Sequence, residues 1–235
     1  MMIFIVMSCF VFSRKAISPP IRIDGKLWNI MHNGNISQTV FLQDLLSNSQ
    51  QQSLYALGAL SNLEGEILIL DNKPFVSFQN GSEIIVENSL NYGATLLVST
   101  SVQRWKKIAI QIHNEEQSRS EMETYISQQA QKLQLSEPFP FLLQGEFPLL
   151  DWHVISWDPQ DTEHTHQKHM SSGLQGSLQN TPVQILGFYS TKHQGVFTHH
   201  TANTHMHVVN DTESIAGHVD NIQSNGNYQL FLPLR

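Results

Sequence analysis

Cysteine is almost missing from this chain: Cys9 is the only one among 235 residues. An intramolecular disulfide is therefore excluded, as is a zinc site built from several thiolates, and any metal chemistry must rest on histidine and carboxylate. Basic residues are also scarce, with 13 Lys and Arg against 20 Asp and Glu, a formal net charge of -7 and a pI near 5.9. That balance argues against a nucleic-acid partner, because the phosphate backbone is met by a basic footprint. The one basic run, Arg104-Trp105-Lys106-Lys107, reads as solvated charge at a strand end.

Long hydrophobic runs are lacking too. The most apolar stretch, Met1 to Phe12, is about a dozen residues and too short to span a bilayer, so no stable membrane span is expected. It has the length of an export-signal core, yet no basic residue precedes it, and Arg14 and Lys15 follow it. Residues 1–20 are set apart as an apolar N-terminal segment, either an export signal or a cytoplasmic extension, and the compartment stays open. What remains is 40% hydrophobic and 14% charged, the composition of a globular chain with one sizeable core or two small ones.

Along the chain, Leu27 to Met31 reads as a short extended piece, Asn33-Gly34-Asn35 as a turn, and Val40 to Leu46 as a short helix. The small residues between Leu54 and Glu66 suggest close backbone packing. Ile67 to Leu70 and Phe75 to Phe78, joined by Asp71-Asn72-Lys73-Pro74, form a strong hairpin signal. Ala94 to Val98 and Lys107 to Ile112 are further strands. Then the period changes: Met122, Tyr125, Ile126, Ala130 and Leu133 recur at three and four, predicting a long helix at about 118–134 with Ser120 and Glu123 in capping-box spacing. Strands resume at Phe141 to Phe147, Trp152 to Trp157, Val183 to Tyr189, Met206 to Val209 and Gln229 to Leu232, with Asp158 to Gln179 an ordered polar crossing loop or partial strand. The expected fold class is α+β, with mostly antiparallel or mixed sheet in two sheet-bearing halves, residues 21–135 and 136–235. A homodimer is one assembly left open.

The abundance that offsets these absences is histidine, 12 residues, of which nine lie from His164 to His218. In Thr204-His205-Met206-His207-Val208-Val209 two histidines at i, i+2 project from one face of a strand. The turn-forming Asn210-Asp211-Thr212-Glu213-Ser214 can bring Gly217-His218 back beside them. Three imidazoles on two adjacent strands would supply the three protein ligands of a catalytic zinc, with a position left for water or substrate. His199 and His200 read either as polar residues flanking a strand or as donors orienting ligands or substrate. His164, His166 and His169 read as unligated residues of an exposed loop. Glu66 is by default an edge-strand carboxylate facing water; facing a metal, it would be a proton donor or acceptor.

Taken in order, Gly58 with Leu63-Glu64-Gly65-Glu66-Ile67, then Gly145-Glu146-Phe147, Gly187-Phe188-Tyr189, His205-Met206-His207 and Gly217-His218-Val219 resemble α-acetolactate decarboxylase over about residues 25 to 233. The resemblance implies a two-domain α/β fold and a zinc ion held by His205, His207 and His218. It also implies a small 2-hydroxy-3-oxo acid as substrate, chelated by a Lewis-acid metal that draws electrons from the leaving carboxylate and stabilises an enediolate. The implied products are acetoin and carbon dioxide, with Glu66 in the active site as a group able to deliver the proton. Two departures stand out. Where the family places a substrate-holding arginine, counting from Gly145 gives His153, a shorter and only conditionally charged group. The family also uses a glutamate beyond the segment matching Phe231-Leu232-Pro233, and the sequence closes at Arg235. The expectation is that His153, with His199 or His200, takes over these functions in a divergent decarboxylase. The rival is a non-catalytic metal- or small-ligand-binding module, or a different metalloenzyme, on the same fold.

Overall fold

Period-two burial organises the molecule. In the computed structural model, which describes residues 21–25, 40–47, 53–108, 110, 116–163 and 165–234, the strands form two sheets in which every pairing is antiparallel. The extended piece and turn expected between residues 27 and 35 lie outside the described residues, as does the apolar segment 1–20.

The first sheet contains β1 (Ile21–Gly25), β2 (Val40–Phe41), β3 (Leu54–Leu60), β4 (Glu66–Leu70), β5 (Lys73–Asn80), β6 (Glu83–Glu87) and β7 (Gly93–Ser101). Its order is β1-β7-β3-β4-β5-β6, with β2 also on β7. The expected hairpin is β4–β5. Its turn is the two residues Asp71 and Asn72, with φ of 48° and 69°, the left-handed pair whose twist matches that of the flanking strands. The helix expected near residues 40–46 is α1 (Leu42–Ser47). It packs Leu42 and Leu45 on the outer face of this sheet, against Ala56, Ile67 and Ile69.

The second sheet contains β8 (Arg104–Ile108), β9 (Phe139–Phe147), β10 (Leu149–Val154), β11 (Leu174–Leu178), β12 (Thr181–Tyr189), β13 (Thr204–Asn210), β14 (Ala216–Gln223) and β15 (Tyr228–Leu234). Its order is β11-β10-β14-β13-β12-β9-β15-β8. The strand expected at 107–112 begins three residues earlier and serves as an edge, where Arg104, Lys106 and Lys107 are exposed. The polar stretch 158–179, expected as an ordered crossing loop or partial strand, contains both a helix and a strand. It carries the short helix α3 (His166–Ser171), capped by the Thr165 side chain, and then β11.

The long helix, α2 (Arg119–Lys132), lies between the sheets in sequence and covers the outer face of the second, placing Met122, Ile126 and Ala130 on Phe141, Ile185 and Val208. Its cap corrects the expected one. Ser118, not Ser120, is the N-cap: its side chain accepts from the Glu121 N–H, and the Glu121 carboxylate accepts from the Ser118 N–H at 2.8 Å. The same spacing recurs two residues on, but Glu123 there is buried and points at Thr204 and Asn203.

The inner faces of the two sheets meet in a third cluster that joins Tyr55, Leu57, Leu68 and Phe75 to Leu142, Leu186, Phe188 and Val209. The result is a helix–sheet–sheet–helix stack, α+β and dominated by antiparallel sheet. Among the described residues, no helix is long and apolar enough to cross a membrane.

Candidate metal centre

Alternation along β13 sends Met206 and Val208 to the α2 side, and His205, His207 and Val209 inward, toward the first sheet. Register then does the rest. His207 lies directly opposite His218 on β14, and His218 opposite His153 on β10, so three histidines stand in a row across three strands. Gly217 permits this closeness: a Cβ there would lie 2.6 Å from the His153 carbonyl oxygen and push β10 away.

His205, His207 and His218 offer one ring nitrogen each, all within 4.8 Å of one another. The Nε2 atoms of His205 and His207 are 3.1 Å apart. Two Zn–N bonds of about 2.0–2.1 Å meeting at a tetrahedral angle place their nitrogens about 3.3 Å apart, so the pair fits a shared ion. Their protonation state fits as well, since a ligating imidazole must be neutral. Burial first, then the Arg119 and His153 charges, push His205 down to about 3. Burial and the neighbouring rings hold His207 and His218 well below the usual imidazole range.

The facing sheet contributes Glu66 from the start of β4. It is no edge carboxylate in water: β4 is an inner strand between β3 and β5, and the residue is 5% exposed. Its Oε2 lies 3.6 Å from His207 Nε2 and its Oε1 lies 3.8 Å from His153 Nε2. The Ile155 N–H donates to it over a long 3.4 Å. Burial raises its pKa to about 8, against the lowering effect of the His153 charge and the Ile155 N–H.

His153 bridges the site to a residue that the sequence gives no reason to select. Its Nδ1 sits 2.8 and 2.9 Å from the two oxygens of Asp220. Burial opposes charging His153, but the Asp220 hydrogen bond and the Glu66 and Asp220 charges outweigh it, and its pKa is raised. Asp220 reaches this place through a β-bulge. Asp151 pairs with Asn221 and Trp152 with Val219, which leaves Asp220 as the extra residue.

Arg119, also unselected by sequence, ties the first turn of α2 to β13 and β14, the strands that carry the histidine cluster. It donates to the carbonyl oxygens of Thr204 at 2.9 Å and Asp220 at 2.9 Å, and its Nε to Glu123 at 3.4 Å. His199 lies on the loop between β12 and β13 and lines the cavity, while His200 lies against it with ring centroids 4.0 Å apart and the planes tilted by 32°. His169 departs from the exposed-loop expectation: it is buried, edge-on to Trp157, and lines the same cavity. His164 lies outside the described residues.

Two stacked antiparallel sheets, with a histidine cluster fit for a metal at a small-molecule cavity between them, define the class. The family model for alpha-acetolactate decarboxylase matches residues 25–231, and the chain belongs to that family. Among solved structures, alpha-acetolactate decarboxylase from Bacillus subtilis strain 168 is 12% identical, with a TM-score of 0.68 over 92% of this chain and 86% of that one. A Staphylococcus aureus protein of unknown function similar to alpha-acetolactate decarboxylase is 15% identical, with a TM-score of 0.66 over 94% and 87%. Acetolactate decarboxylase from Bacillus subtilis subspecies spizizenii is 13% identical, with a TM-score of 0.67 over 92% and 86%. At these identities the likeness is one of fold. Among curated proteins, none matches significantly.

Proposed function

We propose that the protein is a zinc-dependent decarboxylase that converts acetolactate, a 2-hydroxy-3-oxo acid, to acetoin and carbon dioxide. The observation that carries this reading is the neutral trio His205, His207 and His218, the first two buried and the third half-buried, facing a carboxyl group, Glu66, 3.6 Å from one of them. These three histidines would hold the zinc, which when bound supplies a Lewis acid for the hydroxy and oxo oxygens of the substrate.

The remaining roles belong to the chain. Decarboxylation leaves a carbon that must take up one proton. Glu66 faces the site 3.6 Å from His207, and in the metal-free chain burial raises its pKa to about 8, toward the protonated form, so it is the group assigned as donor. His153 stands behind it at 3.8 Å and is held by Asp220, so it can return a proton to Glu66 and present positive charge to the substrate carboxylate. This is how a histidine takes the place of the family's arginine, as a charge fixed in orientation and without the bidentate fork. His199, on the loop that walls the cavity, offers a hydrogen bond to the substrate.

Metal-loaded protein should contain about one equivalent of zinc and release acetoin from racemic acetolactate, and a chelator should abolish that release. No acetoin would sink the reading. His153→Ala separates catalysis from mere binding: lost turnover with zinc retained supports the role given to His153, whereas zinc binding without turnover in the wild type favours the binding-module rival.

A further inference from the structure

The cavity beside the histidine cluster has a volume of about 400 Å³ and a lining of two unlike kinds. One is polar and contains His205, His218, Glu66, His153 and Asp220. The apolar part of the lining comprises Leu63, Leu96, Ile155, Met170, Val196 and Phe197. A cavity in the range of about 300–1,000 Å³ suits a ligand much larger than a five-carbon acid whose substituents are two methyl groups.

The wall is specified, not residual. Ala59, Leu63, Ile155 and Trp157 form a hydrophobic cluster separate from the three core clusters, and its first three members face the cavity. Leu63 is held there in a left-handed conformation, φ 57°, directly after Asn62 at φ 58°. A non-glycine pair in that region is costly and persists only where the surroundings over-determine it. Here the Leu63 carbonyl accepts from the Trp157 N–H at 2.9 Å, and the Leu60 N–H donates to the Gly65 carbonyl at 2.9 Å, closing the loop. On the neighbouring strands, Gly58 lets the backbone at Leu96 approach so closely that a Cβ would lie 2.0 Å from the Leu96 oxygen. Leu96 thereby comes to line the cavity beside Ala59.

We infer that the site is shaped for 2-hydroxy-3-oxo acids bearing an extended apolar substituent, which lies along this wall while the acid end lies at the histidines. The inference rests on the decarboxylase reading for its reaction, and on the wall alone for its specificity. Leu63 and Phe197 are the specificity-determining contacts, because both are almost wholly buried and both face the cavity.

The test is a homologous series in which the alkyl group on the hydroxyl-bearing carbon grows from methyl through ethyl and propyl to butyl. At about 0.8 kcal/mol per buried methylene, kcat/KM should rise about fourfold per step, or roughly 60-fold from methyl to butyl. A flat or falling series, with the methyl compound turned over, overturns the inference and leaves the decarboxylase reading intact. In Val196→Phe, a loop substitution that fills the cavity, the butyl-to-methyl ratio of kcat/KM should fall at least tenfold; an unchanged ratio also overturns it. If no member of the series is decarboxylated, the decarboxylase reading fails, and the wall is still read by calorimetry of zinc-loaded protein with unreactive 2-hydroxy-2-alkyl acids. Affinity tightening about fourfold per methylene supports the wall, and constant affinity overturns it.

Discussion

Replacing Glu66 by glutamine tests whether the carboxyl group at the centre of the site is buried and neutral as the fold requires. The folded carboxyl keeps its proton up to about pH 8, whereas in the unfolded chain the same group ionises near 4.5. Between those values the native state binds more protons, so the stability that Glu66 contributes is fully present below about 4.5 and is lost as pH rises through about 8. Each tenfold change in proton affinity is about 1.4 kcal/mol, so the loss amounts to roughly 2–5 kcal/mol once complete. Glutamine cannot ionise and has nearly the same shape. In metal-free protein, wild type and Glu66→Gln should therefore unfold at similar urea concentrations at pH 5, and the variant should become the more stable one at pH 9. Zinc should narrow the gap, because a cation a few ångströms away favours the carboxylate. Parallel curves for the two proteins from pH 5 to 9 would refute the reasoning, since Glu66 would then be titrating like a solvated carboxylate.

Three further outcomes follow from the same contacts. Arg119→Met should destabilise the fold by about 2–4 kcal/mol in urea denaturation, because the Thr204 and Asp220 carbonyls lose their donor and the buried Glu123 loses its counter-charge. A change below about 0.5 kcal/mol would show that the clasp is idle. Free imidazoles compete with protons for zinc near pH 6, but burial depresses His205, His207 and His218 here, so if they hold the metal as proposed, zinc should stay bound as pH falls below 6 and leave only as the chain unfolds. Release at pH 6 or above from a folded protein, followed with a zinc-binding dye, would contradict that. Ser118→Ala removes the α2 cap and should cost about 1 kcal/mol with no change in zinc content; an unchanged midpoint would mean that the helix end is held by Arg119 alone.

Short-range order was legible in the chain. The period of two in His205-Met206-His207 already places both rings on one face, and the Asp71-Asn72 turn already closes its hairpin. The apolar positions of α2 mark its buried face from spacing alone, although the cap lies two residues before the one chosen. These features are set by neighbours in sequence, through backbone geometry that a pattern can carry. Glu66 was legible as a residue but not as a buried one, because burial depends on which strands flank β4 and which sheet covers it.

What the tertiary structure decided is how distant pieces meet. His153, His218 and His207 stand in line only because β10, β14 and β13 pair in one register, and a single-residue slip would turn their side chains to the other face. Asp220 comes to His153 through a bulge, which no period announces. Arg119 and His169 are brought to the same cavity from separate helices, on elements whose local pattern speaks of helix and loop and nothing else. The sequence by itself determined the donor types, the strand that carries two of the three clustered histidines and the helix behind them. The burial of Glu66, the shifts in proton affinity and the apolar lining came from packing one sheet on another, because desolvation and charge proximity are properties of the space between elements.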